Sequence, residues 1–291
     1  MKQLIVPCSN AVDLATKLAT ELKTGVVQYE SRKFPDGENY FRIDTDLSGS
    51  EAVIVQSGYP NPNDSVIELL LAADACKEQK ARKVTAVVPY FPYARQDKRF
   101  KLGEAFSLEI IAKFLKNSGI KRIITADAHF RDDYVGYNLF SLRGTNISGG
   151  SLLAHYIKAK FSLNKLHIIS PDFGASELVK QAAENTDSTH SALKKKRTSD
   201  YQVEMTGTLN VQGKNVLVLD DMISTGNTMI KAVELCKQNG AARVFAAASH
   251  GLFVSDALWR LRSAAEYVVT TDSVKNETAE VSLAHEIVNV L

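Results

Sequence analysis

Short apolar runs alternate with amphipathic stretches along the whole chain, and this alternation constrains the fold more than any other feature. Short aliphatic runs read as buried strands. They fall at Leu4–Val6, Val53–Gln56, Val84–Val88, Ile123–Ala126, His167–Ser170, Val216–Leu219, Val244–Ala248 and Tyr267–Thr270. Helical spacing is read between them, over Asp13–Leu22, Ser65–Glu78, Leu108–Asn117, Leu152–Lys160, Glu177–Glu184, Thr228–Gln238 and Ser255–Ser263. In Leu108–Asn117 the residues Leu108, Ile111, Ala112 and Leu115 share one face, and Gly119 follows the end. Strand and helix in turn predict βαβ units with mostly parallel sheets. A chain of 291 residues suffices for two domains. The glycine-bearing segment Phe140–Gly150 reads as a loop between two halves of similar rhythm. The expectation is a duplicated α/β domain, 1–146 and 147–291, without a repeat at residue level.

Charge and composition narrow the function classes. The formal net charge is only +2, so no global basic field argues for nucleic acid. No apolar run approaches the ~18 residues of a spanning helix. The chain enters a strand-like run at Leu4-Ile5-Val6 without a leader, and a cytoplasmic protein is expected. Cys8, Cys76 and Cys236 form no metal-spaced pair and suit a reducing compartment.

The strongest chemical signal is Val216-Leu217-Val218-Leu219-Asp220-Asp221-Met222-Ile223-Ser224-Thr225-Gly226-Asn227-Thr228. A strand is expected to end at two carboxylates and open through Ser224, Thr225 and Gly226 into a helix near Thr228. Free backbone N–H groups and the positive end of the helix dipole would face an anion there. Asp220 and Asp221 can hold ribose hydroxyls or Mg²⁺. The loop therefore suits a sugar phosphate, although hydroxyl-capped strand–turn–helix connections are also ordinary. It is neither the Walker pattern nor Gly-x-Gly-x-x-Gly.

Other segments supply further groups. Phe34-Pro35-Asp36-Gly37-Glu38 is turn chemistry; it also offers an aromatic ring and carboxylates suited to a purine base. Pro89-Tyr90-Phe91-Pro92-Tyr93-Ala94-Arg95-Gln96-Asp97-Lys98-Arg99 reads as a loop, whose Arg95, Gln96, Lys98 and Arg99 could clamp a polyphosphate or merely be solvated. Asp127 and His129 follow a strand and, by alternation, are expected to project to the same side, where a metal edge is possible. Asp172, in Ser170-Pro171-Asp172-Phe173-Gly174, sits past another strand as a cation or sugar ligand. Lys194-Lys195-Lys196-Arg197 reads as a mobile cationic arm able to fold over a transferring phosphoryl group.

Taken together and in order, these motifs resemble those of the ribose-phosphate diphosphokinase (phosphoribosyl pyrophosphate synthetase) family. The resemblance spans nearly the whole chain, and Lys101-Leu102-Gly103-Glu104 with the short length is similar to the compact, archaeal-type members. It implies two tandem type I phosphoribosyltransferase-like domains, each a mostly parallel sheet flanked by helices, with the last residues packing back on the first domain. It implies transfer of the β,γ-diphosphoryl group of MgATP to the anomeric 1-hydroxyl of ribose 5-phosphate. By resemblance, Phe34, Asp36 and Glu38 hold adenine across a subunit boundary, so a homodimer or higher oligomer is expected. Arg95, Gln96 and Asp97 belong to the ATP side. His129 and Asp172 serve Mg²⁺, with Asp172 also near the ribose. Asp220 and Asp221 take the ribose hydroxyls. Ser224, Thr225, Gly226, Asn227 and Thr228 form the 5-phosphate loop, and Lys195 and Arg197 stabilise the transition state. No nucleic acid and no membrane are implied.

The chain departs from the family pattern at Asn227, where a second glycine is usual, and at Ala175 in the Pro171-Asp172-Phe173-Gly174-Ala175 segment. Both changes fall on the acceptor side. They motivate one alternative, the same transfer to a larger acceptor such as ADP-ribose. A non-catalytic regulatory homologue would be expected to lose the acidic pair or the cationic arm, and neither is lost. A simple phosphoribosyltransferase would need no ATP-side motifs.

Overall fold

The structure is a computed structural model that describes residues 1–130, 136–197, 203–206 and 209–291. It divides into two compact units. The first unit is built from β1 (Gln3–Pro7), α1 (Val12–Glu21), β2 (Tyr29–Lys33), β3 (Asn39–Ile43), β4 (Glu51–Val55), α2 (Pro62–Glu78), β5 (Lys83–Val87), α3 (Ser107–Asn117), β6 (Arg122–Ala126), β7 (Tyr137–Leu139) and β8 (Leu142–Ile147). Its main sheet has the order β1-β4-β5-β6-β8-β7, parallel except for the β7–β8 pair. The strands β4, β5 and β6 are buried on both faces, as expected where helices cover a parallel sheet. Ile54, Leu69, Leu115 and Ile123 belong to one core cluster. The strands β2 and β3 form a separate antiparallel hairpin.

The second unit contains α4 (Gly149–Lys160), β9 (His167–Ser170), α5 (Ser176–Asn185), β10 (Thr189–Ala192), β11 (Lys194–Arg197), β12 (Val203–Thr206), β13 (Asn215–Ile223), α6 (Asn227–Gln238), β14 (Arg243–Gly251), α7 (Ala257–Ala264), β15 (Tyr267–Thr271) and β16 (Ala279–Val281). Its sheet runs β10-β9-β13-β14-β15-β16, and every pairing is parallel. The strands β11 and β12 pair apart from it. Val216, Val218, Met229 and Leu261 share the core of this unit. The last helix, α8 (Ala284–Val290), belongs to the first unit. Among the described residues no helix is long and apolar enough to cross a membrane.

The expected loop Phe140–Gly150 is corrected: most of it is β8 and the start of α4. Its glycines are packing requirements. Gly144 lies opposite Tyr137 on the neighbouring strand, and an added Cβ would come 2.1 Å from the tyrosine ring. A Cβ at Gly150 would meet Leu178 at 2.6 Å, so the glycine lets α4 approach α5.

Candidate active site

In the second unit the central strand β13 carries the acidic pair Asp220 and Asp221. The pairing of β13 with β9 covers Val216–Val218, whereas its pairing with β14 continues to Ile223. The strand therefore outruns its neighbour, and Asp220 and Asp221 lie on this overhang. They sit inside β13 rather than ending it, which corrects the earlier boundary. Asp172 follows the end of β9, close enough for its charge to act on Asp220. Its carboxylate accepts the Gly174 backbone N–H at 2.9 Å and caps the short 3-10 turn Phe173–Ala175. Burial raises the Asp220 carboxyl well above its ordinary value, and the charges of Asp221 and Asp172 raise it further. Its proton affinity is thus set by enclosure and like charge together, a pattern concentrated at functional sites.

The strand opens through Ser224, Thr225 and Gly226 into α6. Gly226 has φ 75°, the left-handed conformation glycine adopts without strain, and it precedes the first residue of α6. The Gly226 carbonyl accepts Ile230 N–H at 2.8 Å, the first bond of the helix ladder. The N–H groups of the first helical turn have no partner within the helix, and the dipole is positive there. Thr225 and Asn227 are exposed, Ser224 and Thr228 half-buried. Together with the overhanging carboxylates, this end of the sheet offers donors for a phosphate and acceptors for sugar hydroxyls. Oxygen donors of this kind also suit Mg²⁺, which takes only one or two carboxylates beside waters and phosphates. Among the described residues no three His, Cys, Asp or Glu side chains form a metal-holding group.

One residue here escaped the sequence reading. Arg260, on α7, donates from Nη2 to the Thr225 carbonyl at 2.8 Å and from Nη1 to Asn227 Oδ1 at 3.0 Å. It lies 33 residues beyond Asn227, and no local pattern announces it. Ala175 is 5% exposed, so its methyl group packs into the unit. Neither departure from the family pattern therefore places an uncommitted side chain over the loop.

Lys195 and Arg197 lie on β11, opposite Met205 and Val203 of β12. The expected arm thus has strand-paired backbone; these two side chains lie outside the described residues.

In the first unit, Phe34, Asp36 and Glu38 occupy the tip of the β2–β3 hairpin. The turn closes through Phe34 N–H to the Glu38 carbonyl at 2.8 Å and Gly37 N–H to the Phe34 carbonyl at 2.9 Å. All three side chains are exposed. Arg32 holds the aromatic ring in place: its guanidinium lies 4.6 Å from the Phe34 centroid and 4.4 Å from that of Tyr40. Arg95 is exposed, with Gln96 and Asp97 half-buried, in the loop after β5. Gln96 Nε2 donates to Glu104 Oε2 at 3.1 Å, and that carboxylate also accepts Phe100 N–H at 2.7 Å and Lys101 N–H at 3.0 Å. These backbone bonds hold the Glu104 carboxyl below its usual range. Glu104 thus ties the loop to itself. The expectation for Asp127 and His129 is corrected. The strand β6 stops at Ala126, Asp127 takes a left-handed φ of 35° and is buried, and His129 is exposed in the following turn. Strand alternation does not reach them.

Comparison with known proteins bears on this arrangement. Residues 3–119 match the family model of the N-terminal domain of ribose phosphate pyrophosphokinase, and residues 144–286 match the phosphoribosyl transferase domain. The chain belongs to the ribose-phosphate pyrophosphokinase family. It is 38% identical to the ribose-phosphate pyrophosphokinase of Pyrococcus furiosus, over 92% of this chain and 94% of the relative. It is 36% identical to that of Methanobrevibacter smithii, over 99% of each chain. The crystal structure of phosphoribosylpyrophosphate synthetase from Mycobacterium smegmatis superposes with a TM-score of 0.88 at 29% identity, covering 100% of this chain and 97% of that one. The expected fold and enzyme class therefore hold. The protein is a ribose-phosphate pyrophosphokinase by family, a transferase of the kinase type that serves nucleotide biosynthesis through phosphoribosyl pyrophosphate.

Proposed function

We propose that the enzyme transfers the β,γ-diphosphoryl group of MgATP to the anomeric 1-hydroxyl of ribose 5-phosphate, giving phosphoribosyl pyrophosphate and AMP. The observation that carries the reading is the strand–turn–helix unit of β13 and α6. It presents Asp220 and Asp221 only a few residues before the anion cradle Ser224–Thr228, a spacing suited to one sugar phosphate. In this reading Asp220 and Asp221 accept the 2- and 3-hydroxyls, and the N–H groups and hydroxyls of 224–228 hold the 5-phosphate. The anomeric oxygen attacks the β-phosphorus in line, the bond from the β-phosphorus to the bridging oxygen breaks, AMP leaves with that oxygen, and the hydroxyl proton is released to solvent. Lys195 and Arg197 neutralise charge on the transferring group. His129 and Asp172 are the residues assigned to Mg²⁺, which when bound supplies further neutralisation of the phosphates. Much of the rate enhancement rests on positioning.

Phe34, Asp36 and Glu38 are assigned to adenine, with Arg95, Gln96 and Asp97 on the polyphosphate side. Exposure of the hairpin tip supports a tip that reaches a neighbouring subunit, and hence a homodimer or higher oligomer. The buried Ala175 and the Arg260-bound Asn227 remove the motive for a larger acceptor.

The test incubates the protein with MgATP and either ribose 5-phosphate or ADP-ribose, reading AMP and the diphosphorylated sugar by mass spectrometry. AMP and phosphoribosyl pyrophosphate in the first arm are expected. AMP only with ADP-ribose, or with neither sugar, would refute the proposal.

A further inference from the structure

The guanidinium of Arg260 divides its donors among three acceptors. Nε donates to Asp256 Oδ1 at 3.0 Å, Nη1 to Asn227 Oδ1 at 3.0 Å and Nη2 to the Thr225 carbonyl at 2.8 Å. Asp256 and Arg260 lie one helical turn apart, so the ion pair aims the guanidinium. The other two bonds grip the phosphate loop from outside.

The Thr225 bond matters most for loop geometry. In a trans peptide the carbonyl and the N–H point in opposite directions. Holding the Thr225 carbonyl toward α7 therefore turns the Gly226 N–H away from α7. Gly226 itself cannot enforce that choice: glycine accepts φ of either sign, so the 225–226 peptide plane could adopt either face. An external hold is needed for the N–H to face one side permanently. A guanidinium suits the task, because its planar fork reaches separated acceptors with little loss of rotamer freedom.

Asn227 completes the grip. As the first residue of α6, its side chain would be free to lie over the helix N-terminus. The bond from Arg260 instead fixes its amide oxygen on the α7 side. The asparagine thus adds a third attachment for the arginine.

We propose that Arg260 is the positioning residue of the acceptor loop, and that Asn227 acts with it as one unit. By fixing the 225–226 peptide, the pair pre-organises the backbone donors for a terminal phosphomonoester. The inference rests on the reading that residues 224–228 take the 5-phosphate of the acceptor.

The test uses the full chain with the substitutions Arg260→Gln, Arg260→Lys, Asn227→Gly and the double variant R260Q/N227G. Loss of a charged hydrogen bond that orders the loop should raise the KM for ribose 5-phosphate by about 10- to 100-fold in R260Q. The KM for MgATP should stay within about twofold, because the ATP-side residues are untouched. R260K should not restore affinity, since one ammonium cannot span the three acceptors. N227G should show a smaller loss, and the double variant should be no worse than R260Q alone, the mark of a shared interaction. Unchanged KM for ribose 5-phosphate in R260Q, or additive losses in the double variant, would overturn the proposal.

A readout independent of turnover separates this inference from the assigned reaction. Amide hydrogen exchange of residues 224–228 should be faster in R260Q than in the wild type, without any substrate. Equal exchange would overturn the positioning role even in an active enzyme. Faster exchange in a protein that does not turn over ribose 5-phosphate would sustain the hold on the loop and refute only the assigned acceptor. Melting temperature guards against general unfolding, and N227G, which removes one side-chain anchor, provides the milder variant.

Discussion

At the scale of single residues, buried polar groups set where the fold is sensitive. His167, at the start of β9, bonds Thr189 Oγ1 from Nδ1 at 2.7 Å and Ser191 Oγ from Nε2 at 2.9 Å. Both partners lie on the edge strand β10, which leads directly into β11 and its Lys195 and Arg197. Hydroxyls both donate and accept, so either neutral tautomer satisfies the pair. Burial, then the nearby charges of Lys214 and His190, lowers the imidazole from 6.5 to about 4. The unfolded chain therefore takes up this proton first. The stabilising effect is complete above pH 6.5 and is lost as pH falls from 6.5 through about 4. His167→Gln should accordingly show a smaller fall in melting temperature between pH 7 and pH 5 than the wild type. Identical pH slopes would mean that His167 does not carry the effect.

At the scale of elements, α2 anchors the hairpin assigned to adenine. Glu68 is 4% exposed and accepts Ser31 Oγ at 2.6 Å, Ser9 Oγ at 2.6 Å and Gln56 Nε2 at 2.8 Å. One turn earlier Asp64 pairs with Lys33 at 2.5 Å. Ser31 and Lys33 are two apart on β2, on one face of the strand, and Asp64 and Glu68 are four apart on one face of the helix. The two periodicities meet, and the base of the hairpin is fastened while its tip projects. Glu68→Ala leaves several donors without their acceptor and should cost about 2–4 kcal/mol in urea unfolding. It should also raise the KM for ATP, since the exposed Phe34 depends on the hairpin beneath it. A stability loss with an unaltered KM for ATP would show that strand pairing alone holds the tip.

At the scale of the whole molecule, the two units are not two consecutive lengths of chain. Ser273–Lys275 and Ser282–Leu291 return to the first unit after the second has formed most of its sheet. Ser57 Oγ donates to the Ser273 carbonyl at 2.7 Å, and Lys275 pairs with Asp13 at 2.8 Å. Leu283, Ala284 and Ile287 are fully buried, with α8 against α1. Deleting 282–291 removes that apolar surface and should destabilise the first unit by about 3–5 kcal/mol, from burial of roughly 1.5–3 kcal/mol per large aliphatic side chain. Hydrogen exchange resolved by unit should show lost protection in the first unit and near-native protection in the second. Equal loss in both would mean that they unfold as one.

The class of fold and the order of its main elements follow from patterns local to the chain. Buried parallel strands are continuous apolar runs, and the helices between them carry one apolar face, so both periods are written locally. The segments around Phe34, Arg95, Asp172 and Asp220 are candidates by local pattern alone, since turn glycines, prolines and paired carboxylates stand out without any knowledge of the fold. Tertiary structure decided what depends on distant partners. The strand β2, Tyr-Glu-Ser-Arg-Lys, has no apolar alternation and exists because β3 pairs with it and α2 supports it. The strand β8 was hidden by Gly144, whose missing side chain is a space for Tyr137 and not a break in the chain. Likewise β13 runs past its acidic pair because β14 continues to pair with it, and Arg260 reaches Thr225 and Asn227 only because α7 folds against α6. Local periodicity reports which face of an element is buried. Only the folded chain decides which residue of another element lies against it.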